Sequence, residues 1–129
     1  MTHRIVVVED EKDIQSLIVE ELEDEGYKVA IADNGKEGLE VIETFKPHLI
    51  LSDITMPIMN GHEMLTEFRE KYPQMRSVPL IFLSALADRR HVIEGKKLGV
   101  DDYITKPIDF ELLLVTVQAR LREVEHMTK

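Results

Sequence analysis

Short apolar runs alternate along this chain with stretches whose apolar residues recur at helical spacing. Ile5–Val8 is apolar at every position, the mark of a strand buried on both faces. Ile14, Leu17, Ile18 and Leu22 then fall on one side of a helix that should stop at Gly26. Tyr27–Ala32 is predicted as a second strand, closed by the turn signal Asp33-Asn34-Gly35. Leu39, Val41, Ile42 and Phe45 mark a second helix, ended by Pro47. Leu49–Ser52 is the third strand, and Met64, Leu65 and Phe68 place a helix before Pro73. Val78–Leu83 is the fourth strand, with Pro79 tolerable near its start. A weaker helix over Asp88–Leu98 stops at Gly99, and Tyr103–Thr105 is the fifth strand. Asp109 should cap a last helix from Phe110 to about Glu125, with Arg120 and Arg122 near its negative pole.

Five successive βα units predict an α/β fold: one domain, a doubly wound five-stranded parallel sheet, helices on both faces. The flavodoxin-like strand order 2-1-3-4-5 puts the first and third strands side by side, and ligands bind such sheets at the carboxyl ends of the strands. At those ends the apolar runs give way to chemistry. Glu9 and Asp10 follow the first strand, Asp53 the third, Ser84 the fourth and Lys106 the fifth. Three carboxylates, a hydroxyl and an ammonium on one sheet edge suit a divalent cation and a phosphoryl group.

Glu9, Asp10 and Asp53 would repel one another, and burial would add to that cost; a cation relieves both. Mg²⁺ takes oxygen ligands and typically uses one or two carboxylates plus a phosphate. Helix capping is the bland explanation for an acidic pair after one strand, but it leaves the third acid unexplained. Asp53 leads into Ile54-Thr55-Met56-Pro57-Ile58-Met59-Asn60-Gly61, where proline and glycine define the path, so its carboxylate should be exposed and able to attack phosphorus. Lys106 precedes Pro107, and a cis bond there would aim the ammonium back into the crevice. The five histidines, His3, His48, His62, His91 and His126, read as surface or strand-edge residues.

Composition narrows the class. The 129 residues are 43% apolar and 32% charged, as in one ordinary globular domain. No apolar run approaches the roughly 20 residues of a membrane span. Met-Thr-His-Arg leads straight into a strand, without signal-peptide character. The absence of cysteine fits a reducing compartment, and the chain is expected in the cytoplasm. The net charge of -9 and the lack of a basic stripe argue against direct nucleic-acid binding. The acids from Glu20 to Glu25 should be a solvated helix end.

The chain resembles the receiver domain of bacterial two-component response regulators over residues 4–125, leaving 126–129 as a tail or the start of a linker. The resemblance rests on residues 5–11, 49–61 (Leu-Ile-Leu-Ser-Asp-Ile-Thr-Met-Pro-Ile-Met-Asn-Gly), 82–85 and 99–107 (Gly-Val-Asp-Asp-Tyr-Ile-Thr-Lys-Pro). It implies that Asp53 accepts a phosphoryl group from a sensor histidine kinase or histidine phosphotransfer protein. Asp10, Asp53 and the Thr55 carbonyl would bind Mg²⁺, with Glu9 acting mainly through water. Lys106 would contact the phosphate, Ser84 would move toward it, and Tyr103 would rotate inward behind it. The domain would catalyse its own phosphorylation and dephosphorylation while serving as a regulator, not an enzyme.

Three residues depart from the commonest pattern: Glu9 and Asn60 where aspartate is usual, and Ser84 where threonine is frequent. Thr55 and Leu86 stand near the attacking water in that family. Leu86 cannot hydrogen-bond it, so slow hydrolysis is expected. Gly95, costing about 1 kcal/mol inside a helix relative to alanine, suggests that residues 88–99 carry most of the switch. Phe110, Leu114, Val117, Leu121 and Val124 form two heptads, either a core face or a homodimer seam on the face made by the fourth helix, fifth strand and fifth helix. An output domain or effector protein would be the further partner. The alternatives are a Mg²⁺-dependent phosphatase with an aspartyl nucleophile, and a receiver-like interaction module that is not phosphorylated. Haloacid-dehalogenase-like phosphatases carry a second acid two residues after the nucleophile, where this chain has Thr55.

Overall fold

The computed structural model describes residues 2–85 and 89–127, with backbone alone at 89–92 and 127. Five strands, β1 (Arg4–Val8), β2 (Lys28–Ala32), β3 (Leu49–Asp53), β4 (Leu80–Ala85) and β5 (Asp102–Lys106), form one parallel sheet in the order β2-β1-β3-β4-β5. Between and after them run α1 (Lys12–Asp24), α2 (Gly35–Phe45), α3 (Gly61–Lys71), α4 (Arg89–Lys97) and α5 (Phe110–Met127). A 3-10 turn at Pro73–Met75 precedes β4. The predicted fold class and strand order therefore hold.

Alternation within the strands divides the core in two. Val6, Val8, Ile50, Leu80 and Phe82 face α2 and α3. Ile5, Val7, Leu49, Leu51, Ile81 and Leu83 face α1 and α5. Burial on both faces explains why these strands carry no polar alternation. Register then aligns the strand ends: Val8 lies opposite Ser52, Asp53 opposite Leu83, and Ala85 opposite Lys106.

Helix ends follow local chemistry. Asn34 accepts from the Glu37 N–H at 2.9 Å, so the predicted turn signal is an N-cap, with Gly35 already in α2. Asn60 and Glu63 form a reciprocal capping box at the start of α3. Asp109 accepts from the Leu112 N–H at 3.2 Å, as expected for the cap of α5. Gly26 sits at φ +92° just beyond α1, a conformation that glycine adopts without a Cβ clash.

Three packing expectations need correction. Leu17 is 50% exposed, while Ile18 and Leu22 are buried. The buried stripe of α5 is Leu113, Val117 and Leu121, spaced by four, with Phe110 and Leu114 only partly buried against it. Four of the five heptad residues thus belong to the core face of α5, and Leu113 is the buried residue the spacing misses. His62 is 6% exposed, so it is a buried residue and not a surface one.

Candidate functional site

Glu9, Asp53 and Lys106 meet at the carboxyl end of the sheet because β1, β3 and β5 terminate there together. Lys106 Nζ donates to Glu9 Oε1 at 2.7 Å and to Asp53 Oδ2 at 3.1 Å. Glu11 lies farther out, 3.9 Å from the same ammonium. The Lys106–Pro107 peptide is cis. Asp53 Oδ1 accepts from the Ile54 N–H at 2.8 Å, and the Ser52 hydroxyl donates to the Asp53 carbonyl at 2.8 Å. Both bonds hold the loop where β3 ends.

Asp10 is the most open of the three acids, whereas Asp53 is only 7% exposed. The Asp53 carboxylate therefore sits at the base of the crevice and is not exposed as expected, because the strand end and the loop after it close over it. One carboxylate oxygen from each of the three acids lies within 4.8 Å of the others. Together with Glu11, Ile54, Thr55, Ser84, Ala85 and Lys106, Asp10 and Asp53 line a cavity of about 380 Å³. Ser84 is buried, and its hydroxyl donates to the Ala85 carbonyl at 3.3 Å. All the predicted site residues are thus brought to one place.

Glu9 is fully buried. Burial, reinforced by the Asp53 charge, pushes its carboxyl up to about 7 despite the hydrogen bonds from Lys106 and the Glu11 N–H. Burial alone would lower the Lys106 pKa, but the hydrogen bond to Glu9 and the charge of Asp53 outweigh it and raise the value. One ammonium is thus shared by two carboxylates, with a third acid alongside. An all-oxygen, anionic donor set this compact fits a hard divalent cation such as Mg²⁺.

Gln15 escaped sequence reasoning. Buried on α1, it donates through Nε2 to the Glu9 carbonyl at 2.8 Å and to Asp33 Oδ1 at 3.2 Å. It fixes the backbone from which Glu9 and Asp10 project. The available signal was an amide one residue from Ile14 on the apolar side of the helix. Gly61 does more than define the path of the loop: a Cβ there would lie 2.5 Å from the Asp53 carbonyl oxygen and 2.9 Å from Phe82 Cε1. Leu86, expected beside the attacking water, lies outside the described residues, as does Asp88 at the predicted start of α4.

Among the described side chains, no histidine lines this cavity. His62 on α3 packs edge-on against Phe82, with ring centroids 5.2 Å apart, and its Nδ1 lies 3.3 Å from Glu94 Oε2. His3 and His48 stack edge to face at 5.2 Å beside the N-terminal end of the sheet. Among the described residues, the one cluster of three potential metal ligands is the acidic one. No helix among them is long and apolar enough to cross a membrane.

Residues 5–118 match the family model described as response regulator receiver domain. Among solved structures, a CheY-like response regulator receiver domain protein from Methanospirillum hungatei is 32% identical, with a TM-score of 0.91, and the match covers 98% of this chain and 99% of that one. The receiver domain of a signal transduction histidine kinase from Syntrophus aciditrophicus is also 32% identical, with a TM-score of 0.88 and coverage of 95% and 92%. NtrX from Brucella abortus is 25% identical with a TM-score of 0.89; the match spans 99% of this chain but 28% of NtrX.

Proposed function

Since this chain belongs to the response regulator receiver domain family, we propose that it is a phosphoacceptor in which Asp53 takes a phosphoryl group from a phosphohistidine partner. The observation that carries this reading is the placement of Asp53. Its carboxylate closes β3, lines an open cavity, and shares Lys106 with Glu9 at 3.1 and 2.7 Å.

In the transfer, an Asp53 carboxylate oxygen attacks phosphorus and the phosphorus–nitrogen bond of the donor breaks. Its electron pair stays on the imidazole nitrogen, and an acyl phosphate is left on Asp53. Asp10, Asp53 and the Thr55 carbonyl would hold Mg²⁺, with Glu9 behind them. When bound, the cation supplies positive charge beside the transferring group. Lys106 turns from the two carboxylates to the arriving phosphoryl oxygens. The Ser84 hydroxyl, released from the Ala85 carbonyl, donates to another of them. Placement and electrostatics do most of this work.

The partner is a sensor histidine kinase or histidine phosphotransfer protein, met in the cytoplasm. The receiver domain is assigned to residues 4–125, with 126–129 as its tail or the start of a linker to an output domain. New demands for hydrogen bonds at Asp53 bias the face formed by α4, β5 and α5, where an effector or a second copy binds. Ile93 on α4 and Leu112 and Val115 on α5 are 43%, 53% and 54% exposed, which gives that face apolar contact surface. Thr55 offers a hydroxyl where an aspartyl phosphatase needs a second acid, which disfavours the enzyme reading.

Incubation with acetyl phosphate and Mg²⁺, followed by intact mass measurement, tests the proposal. The wild type should gain one phosphoryl group, and Asp53→Asn should gain none. Equal labelling of both, or of neither, overturns it.

A further inference from the structure

We infer that Gly95 is a positioning residue for Tyr103, its missing side chain forming the seat that holds the tyrosine ring against α4 before Asp53 is modified. A Cβ on Gly95 would lie 1.7 Å from the Tyr103 hydroxyl oxygen, 2.9 Å from its Cζ and 3.3 Å from Phe82 Cε2. A methyl group and the ring therefore cannot share this space. Glycine weakens a helix interior, and here it has a packing reason to be present. This differs from the expectation that Gly95 merely loosens α4 and that Tyr103 enters room vacated by Ser84.

The seat belongs to a continuous row of contacts. Tyr103 packs against Phe82 with ring centroids 5.8 Å apart and planes tilted by 50°. The opposite edge of the Phe82 ring faces Gly61, whose Cβ position falls 2.9 Å from Phe82 Cε1 and 2.5 Å from the Asp53 carbonyl oxygen. The Phe82 ring thus lies between two glycines, and a side chain on either would collide with it or its neighbours. A close-packed interior has no room for an added methyl group at either glycine, so both positions fix where the Phe82 and Tyr103 rings can lie.

The inference deepens the switching part of the proposed function and rests on the acceptor role of Asp53 only in its last experimental arm. The full chain labelled with 3-fluorotyrosine gives three ¹⁹F resonances, because it contains three tyrosines. Loss of one in Tyr103→Phe assigns the signal. In unmodified protein the Tyr103 resonance should show a small solvent isotope shift. Gly95→Ala should enlarge that shift and leave Tyr27 and Tyr72 unmoved. Gly95→Ala should also lower the melting temperature in the wild type but raise it in a Tyr103→Ala background, where only the helix preference for alanine remains.

An unchanged Tyr103 signal, or a higher melting temperature in both backgrounds, overturns the inference. If Gly95→Ala does not fold alone, the pair with Tyr103→Ala still reports: a double variant no more stable than Tyr103→Ala also overturns it. In the last arm, beryllofluoride and Mg²⁺ should move the wild-type Tyr103 signal little. A solvent-exposed ring that becomes protected only on this addition would show that Ser84 supplies the room. Failure of beryllofluoride to bind counts against the acceptor reading and leaves the results on unmodified protein standing.

Discussion

Lys106 Nζ lies closer to Glu9 than to Asp53, 2.7 Å against 3.1 Å, although 97 residues separate Glu9 and Lys106 in the chain. Glutamate here has the reach to take the ammonium that an incoming phosphoryl group needs. In the metal-free protein, Glu9 therefore competes with Asp53 for Lys106.

Removing the lysine should expose that competition. Lys106→Ala leaves two buried carboxylates facing each other without a cation, and breaking a buried pair in this way costs about 3 kcal/mol. Urea denaturation in EDTA should register the loss. Millimolar Mg²⁺ should recover a large part of it, because the metal substitutes for the missing charge.

Glu9 sets the pH dependence of the metal-free state. Its carboxyl holds a proton up to about 7 in the folded protein, against 4.5 for an ordinary glutamate. Between those values the native state binds the extra proton, so Glu9 makes stability fall as pH rises from about 4.5 to about 7. Lys106, with its raised pKa, stays charged throughout and loses its contribution only above the ordinary lysine range. Melting temperatures in EDTA should therefore decline across that window. Glu9→Gln should flatten the decline and raise the value at neutral pH, and Mg²⁺ should oppose the decline by displacing the proton.

Gly61 should tolerate no side chain. Its Cβ position meets backbone at Asp53 and the ring of Phe82, and neither can swing away. Gly61→Ala should cost about 2 kcal/mol through overpacking and slow labelling of Asp53 by acetyl phosphate. Thermal denaturation and timed mass spectra would measure the two effects.

Ile58 is a target for stabilisation. It has φ +69° and is 77% exposed, and the Met59 N–H bonds the Pro57 carbonyl across it at 2.7 Å. That three-residue bond makes a γ-turn at positive φ, a strained geometry for a β-branched residue that asparagine tolerates better. Ile58→Asn should stabilise by about 1 kcal/mol, with little buried contact to lose. An unchanged urea midpoint would contradict this account of the loop.

The sheet was legible because its strands are apolar at every position, and the same runs marked where Glu9, Asp53, Ser84 and Lys106 emerge. Strand ends were less so: Asp53 and Ser84 are the last residues inside their ladders or one short of that, not beyond them. Leu17 and Leu113 show the limit for helices. Both are leucines on amphipathic segments, and which one faces the sheet depends on how the helix is rolled by its neighbours. His62 is buried because Phe82 and Glu94 reach it from other elements. Gly61 and Gly95 act against atoms far away in sequence, so no local pattern announces them, whereas Gln15 left a local trace as an amide on the apolar side of α1.

The charges of the site are also ordered in time. Its acids lie at the end of β3 and in the two residues just after β1, whereas its ammonium is the last residue of β5. A chain emerging from the ribosome carries the repelling groups well before their counter-ion. Until residue 106 is free, docking β1 beside β3 is opposed by that repulsion, so the last strand to be made carries the charge that lets the first ones settle.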